Sequence, residues 1–188
     1  TSTVWAPLPP VDFEAAGIGP LEAMRLDRSA MLALVAASEA LADAGWQTSC
    51  VDAKRCIWRL DGLDGTRAGV FMGTGGGGIT SLVESTNSHV LSTVRRLTGK
   101  NMRLPEAAAT EALQELIASL PLRFNPFSVS MVMPNAISAV LGIRYSLRGP
   151  NTVSAVACAA GTVAIGHAFR SIRDGETDVA LCGGSEYT

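Results

Sequence analysis

Three short apolar segments constrain the fold of this chain more than any other feature. They lie at residues 67–72 (RAGVFM), 152–157 (TVSAVA) and 178–182 (DVALC). Each is hydrophobic along most of its length instead of alternating, which is typical of a strand that is covered on both faces. Longer stretches with helical character separate them. Strands separated by helices predict an α/β fold in which a mostly parallel sheet is covered by helices.

Capping residues and helix breakers assign the remaining segments. Asp27 can cap the start of a helix and Gly45 can end it. Four prolines make residues 1–26 irregular. The predicted helices are 28–44, 79–97, 104–120, 136–146 and 159–173.

The composition excludes several classes of protein. Of the 188 residues, 47% are hydrophobic and 17% are charged, which excludes an intrinsically disordered chain. The formal net charge of −2 gives no general attraction to nucleic acid or to an anionic membrane. No apolar run reaches the roughly 18 residues that a membrane-spanning helix needs. The first residues, TSTVWAPLPP, lack the basic and apolar regions of a signal peptide.

The four cysteines and two histidines do not form a metal-binding pattern. No two cysteines are spaced as CxxC, so we expect no metal site. A chain with a core of this size does not need disulfides. We therefore expect reduced thiols and a cytoplasmic protein.

Cys158 occupies the most informative position, between the strand predicted at 152–157 and the helix predicted at 159–173. Most buried cysteines only fill space. At a helix start, however, unpaired N–H groups stabilise a thiolate and can bind an oxyanion. The small neighbours Ala157 and Gly161 leave room for an acyl group. The position makes Cys158 a candidate nucleophile.

Around this cysteine, VACAAGTVAIGHAFRSIRDGETDVALCGGSE resembles the active-site segment of the β-ketoacyl–acyl carrier protein synthases, members of the thiolase-like superfamily. GVFMGTGGGG is similar to their earlier strand and glycine loop, and RLDRSAMLALVAASEALADAGW to their early helix. The resemblance covers residues 22–188 except for about 85–123. It implies a thiolase-like fold, with residues 1–188 as an N-terminal domain. The family's first strand, and the later half with two catalytic histidines and a lysine, are not in this sequence.

The resemblance implies an acyltransferase of fatty acid or polyketide synthesis. Cys158 would accept an acyl chain from a carrier-protein thioester, and a malonyl-type thioester would lose carbon dioxide and attack it. No free cofactor is expected, because the substrates are carried on the phosphopantetheine of an acyl carrier protein. Gly76 and Ala157 would border the acyl pocket, and some synthases have a branched residue at the position of Gly76. We expect this chain alone not to form a stable active enzyme.

The resemblance also implies partners. The strand at 152–157 would pair with its two-fold mate, in a homodimer or in a ketosynthase/chain-length-factor heterodimer. Arg25 and Arg28 are candidates for docking the acidic carrier protein, although ordinary surface charges would give the same pattern. The residues expected to approach the partner's acyl pocket are Phe127, Ser128 and Val129.

Two alternatives remain open at this point. Gly73, Gly75 and Gly78 satisfy the G-x-G-x-x-G pattern of a Rossmann nucleotide site. Such a site also needs an acidic residue after a second strand about 20 positions later, where this chain has Arg95 and Arg96. The second alternative is a non-catalytic chain-length-factor subunit, although those relatives usually lack the cysteine.

Neither histidine is expected to take part in catalysis. His167 follows Cys158 on the same predicted helix but points to the opposite side, and we expect it to pack in the core. His89 lies in the poorly matched region and has no motif around it.

Overall fold

The computed structural model describes residues 9–98, 111, 114 and 127–187. Within them we number five strands, β1 (Thr48–Asp52), β2 (Ile57–Leu60), β3 (Ala68–Thr74), β4 (Asn151–Ala155) and β5 (Val179–Gly184). We number six helices, α1 (Pro20–Ala23), α2 (Arg28–Asp43), α3 (Ile79–Thr98), α4 (Ser128–Val132), α5 (Ala136–Arg144) and α6 (Ala160–Arg173). Short 3₁₀ turns at Gly65–Arg67 and Ala157–Ala159 lead into β3 and α6.

In the described part of the chain, the central sheet has three strands in the order β4-β3-β5, and both pairings are parallel. All seven residues of β3 are buried, because the strand has neighbours on both edges and helices on both faces. The prediction of a mostly parallel α/β sheet is confirmed. Since β3 bonds directly to both neighbours, any further strand would pair outside β4 or β5.

One face of the sheet carries the main hydrophobic core. Helices α2 and α5 pack against each other, and α5 packs on β3. Leu141 of α5 has no exposed surface, and Val70 and Met72 of β3 reach the same cluster. The alanines of α2 permit the close approach. Buried residues of α2 in this core are Ala30, Ala33, Leu34, Ala37 and Leu41.

The opposite face is covered by α6, and its core is much smaller. Phe71 of β3 packs with Ala164 and Ala168 of α6. The other side of the helix exposes large apolar side chains, among them Phe169, which is 64% exposed. The hydrophobic core on this face of the sheet is therefore smaller than the core on the other face.

The predicted start of α2 is confirmed, and the helix ends at Asp43, one residue earlier than predicted. The Asp27 carboxylate accepts a hydrogen bond from the Ser29 N–H at 2.8 Å, and Gly45 takes the left-handed conformation with φ of 76°. Helix α5 ends at Arg144, two residues earlier than predicted, and the left-handed Ser146 (φ 56°) follows.

Two elements differ from the sequence prediction. Residues 1–26 were expected to be irregular, but α1 begins at Pro20, where a missing N–H group costs nothing because the first helical N–H has no partner. The antiparallel hairpin of β1 and β2 was not predicted. The Asp52 carboxylate accepts from the N–H groups of Lys54 and Arg55 in its turn. The helix predicted at 104–120 lies outside the described residues except for 111 and 114.

No described helix combines the length and the apolar character that crossing a membrane requires.

Candidate active site

Cys158 lies in the 3₁₀ turn that joins β4 to α6, and it is exposed. The strand ends at Ala155 and the helix begins at Ala160, so both boundaries differ by one or two residues from the prediction. Ala157 has a φ of 51°, a left-handed conformation that costs a non-glycine residue about 1–2 kcal/mol. The turn therefore holds the cysteine between the carboxyl end of a strand and the amino end of a helix.

Glycines bring the start of α6 into backbone contact with the strand ends. A Cβ at Gly73 would lie 2.3 Å from the carbonyl carbon and oxygen of Ala160. A Cβ at Gly184 would lie 3.1 Å from the Cα of Gly161. Only hydrogen fits at Gly73, so this glycine fixes the position of the turn that carries Cys158.

Cys158 opens into a cavity of about 680 Å³. The glycine loop after β3, the start of α3 and the segment after β5 form its other walls. Two of the residues predicted to border an acyl pocket, Gly76 and Ala157, line this cavity together with Cys158. No histidine lines it among the described residues.

A side chain at Gly76 would project toward Ile79. An added Cβ would approach the Cδ1 atom of Ile79 at 2.9 Å, and this atom is the mobile end of a flexible side chain. Gly77, in contrast, has a φ of 64° and lies against the backbone of Val132 and Pro134. Position 76 is therefore the point of the loop at which a larger residue could narrow the cavity without straining the backbone.

Glu186 binds the glycine loop, and the sequence reasoning missed this residue. Its Oε2 atom accepts hydrogen bonds from the Thr74 hydroxyl at 2.8 Å, from the Gly75 N–H, and from the Gly76 N–H at 3.2 Å. The Thr74 hydroxyl in turn accepts from the Gly77 N–H at 3.2 Å. The sequence places Thr74 and Glu186 at or just after the ends of two predicted strands, but only the structure shows that these strands are parallel neighbours.

These contacts argue against the nucleotide-binding alternative. The N–H groups of Gly75 and Gly76, which a phosphate would need, are bonded to a carboxylate that would repel it. Residues 95 and 96 lie within helix α3, where the alternative requires a strand and an acidic residue.

The residues predicted to approach a partner's pocket lie apart from the Cys158 cavity. Phe127 precedes α4, Ser128 is buried, and Val129 is 74% exposed. None of the three lines the cavity within this chain. Their predicted role toward a partner chain stays a prediction.

The two arginines proposed for carrier-protein docking are exposed, but each stacks on aromatic rings. The Arg25 guanidinium lies 5.3 Å from the centre of the Phe127 ring. Arg28 lies 5.6 Å from the Phe13 ring and 4.9 Å from the Tyr187 ring. Arg28 therefore contacts a residue that lines the Cys158 cavity, Tyr187, without lining the cavity itself.

The prediction that His167 packs in the core is wrong, because the residue is exposed on α6. His89 lies on α3. Among residues 9–98 and 127–187, no group of three histidine, cysteine or acidic side chains is placed to hold a metal ion.

Residues 7–188 match the family model described as the β-ketoacyl synthase N-terminal domain. A 3-oxoacyl-[acyl-carrier-protein] synthase 2 of Staphylococcus aureus is 30% identical over 167 residues, which cover 88% of this chain and 30% of the relative. The synthase 2 of Synechocystis is 29% identical over 165 residues, with the same coverage. The chain thus spans about 30% of the length of these curated relatives.

Two solved structures share the fold. One holds a type II polyketide synthase acyl-carrier protein in complex with its hexaketide-bound ketosynthase, with a TM-score of 0.64 at 21% identity. The match covers 96% of our chain and 40% of the chain in that structure. The other is a ketosynthase in complex with its chain length factor from Xenorhabdus doucetiae, with a TM-score of 0.52 at 16% identity. This match covers 97% of our chain and 35% of the solved one. The prediction of a thiolase-like ketosynthase fold is confirmed.

Proposed function

Because this chain belongs to the β-ketoacyl synthase family, we propose that it carries the acyl-accepting site of an enzyme that condenses carrier-protein thioesters by decarboxylation. The pathway class is fatty acid or polyketide synthesis. The observation that carries the proposal is the position of Cys158, which is exposed to a 680 Å³ cavity and precedes the amino end of α6.

In the first step, the Cys158 thiolate attacks the carbonyl carbon of an acyl thioester. A new carbon–sulfur bond forms, the thioester carbon–sulfur bond breaks, and the carrier's phosphopantetheine leaves as a thiolate. The N–H groups at the start of α6 and in the cysteine turn supply positive ends of dipoles near the developing oxyanion. The small residues beside the thiol, Ala157 and Gly161, leave the acyl group room in the cavity.

In the second step, a malonyl-type thioester loses carbon dioxide. Its resulting carbanion attacks the carbonyl of the acyl-cysteine, so that a carbon–carbon bond forms, the carbon–sulfur bond breaks, and the Cys158 thiolate returns. Groups that assist decarboxylation are not found in the described part of the cavity. We assign them to the remainder of a full-length synthase, since this chain spans about 30% of its curated relatives.

The partners proposed are an acyl carrier protein and a second ketosynthase-type subunit, either identical or a chain length factor. Strand β4 bonds to β3 on one edge, and within the described residues its other edge has no strand partner. A second subunit pairing there would satisfy the free backbone groups. Substrates arrive on the carrier, so no free cofactor is proposed, and a cytoplasmic location stays a prediction.

The test is selective labelling of the four thiols in the full-length protein. An acyl chain bearing an epoxide should alkylate Cys158 before Cys50, Cys56 and Cys182, and mass spectrometry of peptides reads out the order. The best comparison is Cys182. It has exposed surface, but burial of its thiol raises its pKa, so less thiolate is present at neutral pH.

Two outcomes decide the proposal. Raising the pH should accelerate labelling of Cys182, because a thiol with a raised pKa gains thiolate as the pH increases. Cys158→Ala should abolish condensation while the protein stays folded. Preferential labelling of Cys50, or condensation by the alanine variant, would overturn the assignment.

A further inference from the structure

We infer that Glu186 is a positioning residue that sets which acyl groups the Cys158 cavity accepts. The inference rests on the proposed function, because it concerns the acyl group that the cavity would hold. Glu186 does not have to touch the reacting atoms. Its carboxylate acts through the loop of residues 74–77, which lines the same cavity as Cys158.

The loop depends on Glu186 because it has few other ways to hold its shape. Glycine has no side chain that could pack against a neighbour. It also loses more conformational entropy on ordering than any other residue type. One carboxylate oxygen, Oε2, receives two consecutive backbone N–H groups, of Gly75 and Gly76, and the hydroxyl of Thr74. Thr74 is 2% exposed, so its hydroxyl extends this network into the protein interior.

The geometry couples the loop to the nucleophile turn. A Cβ at Gly75 would lie 3.0 Å from Glu186 Oε2 and 3.8 Å from the Cα of Ala157, the residue before Cys158. Gly75 therefore lies close to both the carboxylate and the cysteine turn. A change in its position would alter the cavity beside the thiol.

The neighbours of Glu186 in the chain, Ser185 and Tyr187, hold it in place. The Ser185 hydroxyl donates to the Ser29 carbonyl at 2.7 Å, and the Ser185 N–H donates to the Gly73 carbonyl at 3.0 Å. The Tyr187 ring stacks against Arg28. This segment is anchored to α2 and to β3, so the carboxylate has a fixed base from which to bind the loop.

Only Oε2 of the carboxylate takes part in these contacts. A substitution that keeps one acceptor oxygen but removes the charge can therefore test hydrogen bonding and charge separately. In Glu186→Gln, the amide oxygen can replace Oε2 and accept the same three hydrogen bonds. In Glu186→Ala, the loop loses all three. Glu84→Ala, an exposed glutamate on α3, is the matched control for removal of a carboxylate.

The experiment measures alkylation of Cys158 in the full-length protein by N-alkyl chloroacetamides with ethyl, hexyl and dodecyl chains. The thiolate displaces chloride from each probe, so the rate reports whether the chain fits the cavity. We expect the wild-type protein and Glu84→Ala to share one ratio of rates across the series. Glu186→Ala should change that ratio about tenfold or more, since tenfold is close to the smallest factor expected for losing even one of the three hydrogen bonds to the charged carboxylate.

Glu186→Gln should keep the wild-type ratio within about twofold, since it keeps the acceptor. Thr74→Val, which preserves the side-chain shape, should shift the ratio in the same direction as Glu186→Ala and serves if the alanine variant does not fold. An unchanged ratio in Glu186→Ala, or in Thr74→Val where the alanine variant does not fold, overturns the inference. So does a Gln variant as altered as the alanine variant, because a loop-positioning role needs only the acceptor.

Condensation of acyl and malonyl thioesters is assayed separately. If the wild-type protein does not condense thioesters but the alkylation ratios change as expected, the proposed function fails and the role of Glu186 in shaping the cavity stands. If the wild-type protein condenses thioesters and the ratios do not change, the inference about Glu186 fails alone.

Discussion

The two faces of the central sheet differ in the size of the side chains that pack on them. On the α2 and α5 face, large side chains such as Leu141 and Val70 are fully enclosed. On the α6 face, glycine and alanine dominate, and backbones approach so closely that a methyl group at Gly73 would overlap Ala160. The first face buries more apolar side-chain area and so contributes more to stability. The second face buries less, but its close backbone contacts fix the position of the turn that carries Cys158. The difference predicts that substitutions on the two faces will have different effects.

Leu141→Ala should give the largest effect, and it should act on stability. The side chain is fully buried among α2, α5 and β3, so we expect the free energy of unfolding to fall by about 3 kcal/mol. Chemical denaturation of the full-length protein measures this. The folded fraction should still acylate Cys158 at the wild-type rate.

The control for this prediction is Ile165→Ala on the outer side of α6, where the side chain is 54% exposed. We expect a loss of less than ~1 kcal/mol, because an exposed apolar side chain contributes little. A loss equal to that of Leu141→Ala would contradict the comparison and would show that another part of the full-length protein covers α6.

Gly73→Ala should give the next largest effect, and it should act on chemistry. The added methyl group would push the start of α6 away from β3, and a displacement of about 1 Å can reduce a rate on the order of a hundredfold. Stopped-flow acylation of Cys158 measures the rate. An acylation rate unchanged from wild type would mean that the close approach at Gly73 does not position the cysteine.

Gly166→Ala is the matched control on the same helix. Nothing lies within 4 Å of a Cβ built at this glycine. The substitution should leave the acylation rate unchanged and stabilise the protein by about 0.5–1 kcal/mol, because alanine favours a helix more than glycine does.

Ala157→Gly should give the smallest effect. Glycine removes about 1 kcal/mol of left-handed strain and adds a similar amount of unfolded-state entropy, so we expect the stability to change by less than ~0.5 kcal/mol. The looser turn should slow acylation of Cys158 a few-fold. Ala159→Gly, at a residue with an ordinary φ of −87°, is the control. A large gain in stability together with faster acylation would indicate that the strain hinders the nucleophile.

Local sequence patterns predicted the parts of the fold that depend on local physics. A continuous apolar run such as β3 has only one environment in which it is stable, and a capped segment such as α2 carries its own boundaries. The order of these elements also located Cys158 between a strand and a helix. These features need no knowledge of distant residues.

Features that depend on distant contacts could not be predicted in the same way. Glu186 binds a loop that lies about 110 residues earlier, and no local pattern reports that contact. His167 was expected in the core, but its exposure depends on which side of α6 faces the sheet. The hairpin of β1 and β2 has strands of only five and four residues, too short for a hydrophobic pattern to mark them, and Leu60 of β2 packs in the main core through contacts with distant residues.

The middle position of β3 has a consequence for biosynthesis. Its partners lie far along the chain, since Val70 pairs with Asn151 and Ala68 with Val179. At about 5–20 residues per second of translation, β3 waits on the order of 5–20 s after synthesis before β5 exists. During that interval an apolar strand with two open edges is the segment most prone to aggregate, so the yield of folded protein should depend on chaperones that bind nascent chains.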